Sequence, residues 1–306
     1  MHLVRVLEMR ASGIYAKHTD LFHLVDRRAA IIQVAGGFGL TAGPIFSRIG
    51  FLLFTDVKSG TIHRWHIPNW ESQPRGGKLS VFRENSSRLH GLTFDHQGRL
   101  LACETNPGRV TRTEKDGSVT LLADRYQGQL LHSPHDLIYN IDGSVYFTDS
   151  PPVKSPGATA VYRLPRTQLP GTLPLQLASC QCKQARGVAL GPQHNLLYTS
   201  DAACRNLRVQ SIHPDGTLAA GRIFAEFPSD TPGRPDGLTT DEQGNVYSTG
   251  PGGVWIFREN GTHLGTIVTP EPPTNCCWGR GLQGLYISAQ TSIYYVETNI
   301  SGTRTF

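Results

Sequence analysis

From about residue 29 the chain is a succession of short apolar runs of strand length, separated by turns rich in Gly, Asp and Asn. Two stretches share one pattern, PHDLIYNIDGSVYFTDS at 134–150 and RPDGLTTDEQGNVYSTG at 234–250. Each has a polar residue, then Asp or Gly, an apolar run, a turn, and a second run ending around Thr. Four more copies are present: AGPIFSRIGFLLFTD, HGLTFDHQGRLLACET, RGVALGPQHNLLYTSD and NCCWGRGLQGLYISA. The copies begin at Ala42, His90, His135, Arg186, Asp236 and Asn275, with steps of 48, 45, 51, 50 and 39 residues. Two apolar runs around such a turn predict a hairpin.

A third run follows each hairpin, such as GTIHRWHI at 60–67 and GGVWIFRE at 252–259. A fourth follows in five copies, such as LSVFRE at 79–84 and LGTIVTP at 264–270. Four strands in a unit of this length make one blade of a β-propeller. The pattern therefore predicts an all-β, six-bladed propeller. The last unit runs out of chain after three strands, and AAIIQVAGGF at 29–38 is expected to supply its outer strand. That pairing closes the ring and removes two open sheet edges. Residues 29–306 are read as one domain. Residues 1–28 are read as an N-terminal extension that caps the channel or mediates self-association.

Composition narrows the picture only slightly. The 33 Gly and 20 Pro of 306 residues suit a chain of hairpins. The 29 basic and 24 acidic residues are dispersed, which argues against nucleic-acid binding. No apolar run approaches a membrane span and the N-terminus lacks a signal-peptide core, so a soluble, cytoplasmic protein is expected, with secretion still open. The six cysteines lack zinc-site spacing; buried free thiols are expected, with Cys180 or Cys182 pairing to Cys204 as the alternative. Nothing in the sequence sets an oligomeric state.

The inner strand of every blade lines the central channel, so the first residue of each copy occupies one position seen six times. Five of these six are polar: His90, His135, Arg186, Asp236 and Asn275. Their convergence at a channel mouth makes a candidate site. Arg186, Asp236, His135 and His90 are the candidate catalytic residues; Asn275, Trp278, Phe46 and Phe94 are candidates for substrate contact. Glu104, Asp149 and Asp201 end second strands and are read as turn or inter-blade partners. The Pro-rich stretches 150–157 and 164–174 are read as loops, one of them a lid.

The chain resembles the senescence-marker-protein/gluconolactonase/luciferin-regenerating-enzyme family of six-bladed propellers, from about Gly37 to Glu297. The stretches LHGLTFDHQGRLLACE, LHSPHDLIYNIDGSVYFTDSPP and RPDGLTTDEQGNVYSTGPGGVWIFRENGTHLGTIVTPEPPTN carry the likeness. The resemblance implies a divalent cation, usually calcium, held by a Glu in EGP, an Asn in PND, an Asn in NG and an Asp in PDG. Here only Asp236 matches; AGP, PHD and RGV place Ala42, His135 and Arg186 at the other positions. Calcium takes six to eight hard oxygens. A guanidinium about 4 Å from a cation repels each of its charges by about 4 kcal/mol at an effective dielectric near 20. No cofactor is therefore expected; Arg186, held by Asp236, is expected in the ion's place. A transition metal on His90, His135 and Asp236 is opposed by the same charge.

The resemblance implies lactone hydrolysis. Without the ion, Arg186 would supply electrostatic stabilisation, a histidine titrating near neutrality would supply acid–base chemistry, and the substrate would be a small lactone, ester or enone. Two alternatives stand beside this reading. One is a non-hydrolytic cyclase, isomerase or cycloaddition catalyst in natural-product biosynthesis. The other is a propeller that binds a small molecule without turnover.

Overall fold

The computed structural model describes residues 11–67, 76–84, 86, 88–151, 159–166 and 174–304. Six antiparallel sheets of at least four strands follow one another around a ring. Blade 1 begins with the inner strand Thr41–Phe46, blade 2 with Leu89–Phe94 and blade 3 with Pro134–Tyr139. Blades 4, 5 and 6 begin with Ala185–Leu190, Leu238–Thr240 and Pro273–Trp278. In blade 6 the outer strand is Ile32–Gly36, paired antiparallel with Ser292–Val296. The expected closure is thus formed. The Pro-rich stretches assigned as loops fall largely outside the described residues.

The second strands carry the sequence pattern into the assembly. Their terminal Thr and Ser hydroxyls reach across to the next blade. Thr55 Oγ1 donates to His90 O at 3.2 Å, Thr148 Oγ1 to Arg186 O at 2.5 Å and Ser200 Oγ to Asp236 O at 2.6 Å. Thr249 Oγ1 reaches Thr274 O at 3.3 Å; from the inner strand of blade 6, Thr274 Oγ1 in turn reaches Thr41 O at 2.7 Å. The next residue is often an acid that ties down the loop before its own inner strand. Asp149 accepts from the N–H groups of His132 and Ser133, and Asp201 from those of Lys183 and Gln184. Glu104 instead binds Arg83, Arg109 and Thr111. The anticipated structural role of these acids is met. Charge-assisted hydrogen bonds of this kind are shorter and stronger than neutral ones.

Glycines allow the close approach. A side chain at Gly187 would collide with the Asp236 carbonyl, and one at Gly237 with the Asn275 amide. Register shifts occur beside the ring positions in blades 1, 2, 3, 4 and 6. Such bulges re-aim a side chain out of the ladder, here into the hub.

The N-terminal residues do more than extend the chain. Gly13–Ala16 hydrogen-bonds to His263–Val268 as a fifth strand of blade 5, covering its edge. A single-turn helix, Leu21–Leu24, follows and buries Leu21 and Leu24 against blades 5 and 6. All six thiols are free; Cys103, Cys276 and Cys277 are buried, whereas Cys180 and Cys204 are exposed.

Candidate active site

The ring brings His90, His135, Arg186 and Asp236 together at one mouth of the channel. The His90 and His135 rings lie 4.4 Å apart at 35°. His135 Nδ1 is 3.7 Å from Asp236 Oδ1, too long for a hydrogen bond. His135 is 8% exposed. Both its ring nitrogens, and Asp236 Oδ1, are enclosed without a hydrogen-bond partner in the protein. Buried polar atoms are nearly always paired, and orphans mark places where a ligand completes the set.

Arg186 departs from expectation. Asp236 does not grip it: among the described residues no ion pair joins the two. The ring spacing leaves them side by side, and Asp236 turns toward His135 instead. The guanidinium acts through space. Burial lifts the Asp236 carboxyl to about 6, and Arg186 limits the rise. Burial, then Arg186 and Arg88, push His90 down to about 4. Burial, then Arg186 and His90, push His135 well below its ordinary value. Neither histidine therefore titrates near neutrality, contrary to the sequence expectation; both stand neutral there. Desolvation penalises the charged imidazole, and a fixed cation beside it adds to the penalty.

Asp136 was not anticipated. It lies beneath the mouth, 6% exposed, accepting from the N–H groups of Leu137 at 3.1 Å and Val188 at 3.4 Å. Burial raises it to about 7, with the Asp236 charge pushing the same way and the hydrogen bonds opposing. A sequence signal existed. The residues after the ring positions are Gly43, Gly91, Asp136, Gly187, Gly237 and Cys276. An acid among spacer glycines is the anomaly, and a side chain at Gly91 would strike its carboxyl.

The other predicted contacts lie elsewhere. Asn275 is turned inward: Nδ2 donates to Asp136 Oδ2 at 3.4 Å and Oδ1 accepts from Cys276 N at 2.7 Å. Its amide is engaged by the floor of the mouth through these two contacts. Trp278 is buried, donates to Thr240 O at 2.7 Å and packs edge-on to Tyr247. Phe46 stacks on Tyr286 at 5.7 Å, and Phe94 meets Phe51 at 6.5 Å. These aromatics fill blade interiors, because strand alternation points them between sheets and away from the mouth.

Two clefts open from the mouth, and Arg186 and Gln184 border both. The smaller, about 540 Å³, is lined by His90, His135, Arg88, Lys58, Ser133 and Ser150 among others. The larger, about 1670 Å³, contains Asp236 and runs out to the N-terminal strand. The family's calcium ligands are a poor guide to this mouth. Ala42 offers no side-chain oxygen, His135 offers nitrogen, Arg186 offers only donors, and Asp136 already receives three hydrogen bonds. That set does not fit an ion wanting six to eight hard oxygens.

Comparison with known proteins agrees with this architecture. A gluconolactonase from Zymomonas mobilis subsp. mobilis is 28% identical, over 91% of this chain and 84% of its own. Pentonolactonase XacC from Haloferax volcanii is 28% identical over 78% of this chain and 76% of its own. The solved structure of a gluconolactonase from Xanthomonas campestris superposes with a TM-score of 0.82 at 27% identity, covering 95% of this chain and 96% of that one. The family model described as the SMP-30/Gluconolactonase/LRE-like region matches residues 40–291, and the chain belongs to that family.

Proposed function

We propose that the protein hydrolyses a lactone or ester at the channel mouth without a resident metal ion. The observation that carries this reading is the buried, unpartnered Asp236 Oδ1 beside the guanidinium of Arg186 and the neutral His135. A carboxylate raised to about 6 is a stronger base than an ordinary one and is still ionised at neutral pH.

Asp236 takes a proton from water as the water oxygen bonds to the carbonyl carbon. The carbonyl π electrons move onto oxygen, and Arg186 stabilises that charge with preorganised donors. The tetrahedral species collapses with cleavage of the ring C–O bond. The departing alkoxide takes the proton back from Asp236, leaving a hydroxy acid. His135 and His90, being neutral, shape the mouth and offer one N–H each without adding charge. The names of the relatives weigh for hydrolysis over cyclisation.

The test is hydrolysis of glucono-δ-lactone by protein dialysed against EDTA. Turnover is expected to persist, and calcium is expected not to raise it. Loss of turnover on chelation with recovery on adding calcium would overturn the metal-free reading.

A further inference from the structure

The larger cleft is more than the ring chemistry requires. Its volume of about 1670 Å³ exceeds the roughly 300–1,000 Å³ of most small-molecule sites. It shares Arg186 and Asp236 with the hub, so whatever lies in it is continuous with the reacting carbonyl. Pro228, Pro232, Pro235, Pro251, Pro270 and Pro272 form much of its wall. Proline has no N–H to donate.

Several polar groups between the prolines are engaged within the protein, while Lys17, Arg27 and Arg234 stand at the cleft's exposed border. Arg205 donates to the carbonyls of Pro228, Thr231 and Gly233. Thr269 Oγ1 donates to Glu271 O at 2.6 Å, and Thr266 Oγ1 meets His263 Nε2 at 3.1 Å. The Glu271 carboxylate is held by Thr291, Ser292 and Tyr294. Along that proline-lined part a ligand rich in hydroxyls would leave several of them unpaired, at a cost for each. At its far end the cleft meets Ile14, Tyr15 and Phe22 of the N-terminal segment, together with Trp255. Such surfaces favour apolar carbon.

We infer that the larger cleft receives an apolar arm of the substrate, so that the preferred substrates are lactones bearing an alkyl or aryl substituent. This inference rests on the hydrolytic reading of the hub. The full chain is assayed with δ-dodecalactone and δ-valerolactone. Binding of the two matching lactams, which keep the arm and resist hydrolysis, is followed by calorimetry. Each buried methylene favours binding by about fourfold. With about half of the seven-carbon arm buried, the long-armed lactam is expected to bind about a hundredfold more tightly, and kcat/KM to favour δ-dodecalactone by a similar factor. Phe22→Ala is expected to narrow the lactam ratio by about tenfold, and Ile14→Ala on the adjoining strand serves if the first variant fails to fold. Equal binding of the two lactams overturns the inference, whatever the turnover. Arm-dependent lactam binding with neither lactone hydrolysed upholds the cleft and overturns the hydrolytic reading instead.

Discussion

The two clefts that meet at Arg186 are made of opposite materials. The smaller, bordered by blades 1 to 4, offers His90, Arg88, Lys58, Ser133 and Ser150. The larger, on the side of blades 5 and 6, offers chiefly proline, aromatic rings and the N-terminal strand, with Lys17, Arg27 and Arg234 at its border. The ring repeat is the same on both sides, so the difference lies in the connections between strands. A regular scaffold fixes where the carbonyl must sit, and irregular loops decide what is attached to it. The candidate residues of the proposed reaction lie on the seam: His135 lines the smaller cleft, Asp236 the larger, and Arg186 both.

The sharpest way to break this division is to remove the group common to both sides. Arg186→Ala is expected to lower kcat by about a hundred- to a thousandfold for hydroxylated and apolar lactones alike, with an unchanged melting temperature. Full activity in that variant would place the chemistry elsewhere. Next comes pH. Asp236 must be ionised to act as base, so kcat/KM should rise about tenfold per unit up to about pH 6 and then level off. Asp236→Asn should lose both the activity and that limb.

A smaller effect is expected on stability. Folded Asp136 keeps its proton to about pH 7, whereas the unfolded carboxyl releases it near 4. Its contribution is therefore present at low pH and is lost as pH rises between those values, by a few kcal/mol. His90 acts oppositely: depressed to about 4, it costs stability as pH falls from 6.5. In Asp136→Asn the part of the slope that lies above about pH 6 should be lost, read from urea unfolding across pH 4–8, while Asp236 and His90 keep theirs below it. The smallest expected effect tests the polar side alone. Lys58→Ala should raise KM for glucono-δ-lactone by about two- to fivefold and leave that for δ-dodecalactone unaltered. Equal shifts for both substrates would mean that the sides are not separate.

Much of this was legible in the chain. The six hairpins, the closing strand at 32–36 and the ring from His90 to Asp236 follow from periodicity, because each blade must bury the same alternating face. What the repeat could not show is where side chains turn once blades meet. Asn275 shares a ring position with Arg186, yet the acid under it captures its amide. Phe94 lies only four residues from His90, yet the register shift between Leu89 and Leu92 separates their directions, and Phe94 packs between sheets. The histidine titration depends on enclosure and on a neighbour from another blade, neither of which is local in sequence. The strand at 13–16 has only its short apolar stretch to announce it, and its partner lies some 250 residues away.

The hydroxyl contacts between blades bear on the history of such sites. Three of them hold a ring residue by its main-chain oxygen: Thr55 holds His90, Thr148 holds Arg186 and Ser200 holds Asp236. Anchorage is thus independent of side-chain identity. Glutamate, asparagine, histidine or arginine can be exchanged in these sockets while the strand beneath stays put, which makes the hub an interchangeable panel on which lineages can rewrite their chemistry one substitution at a time.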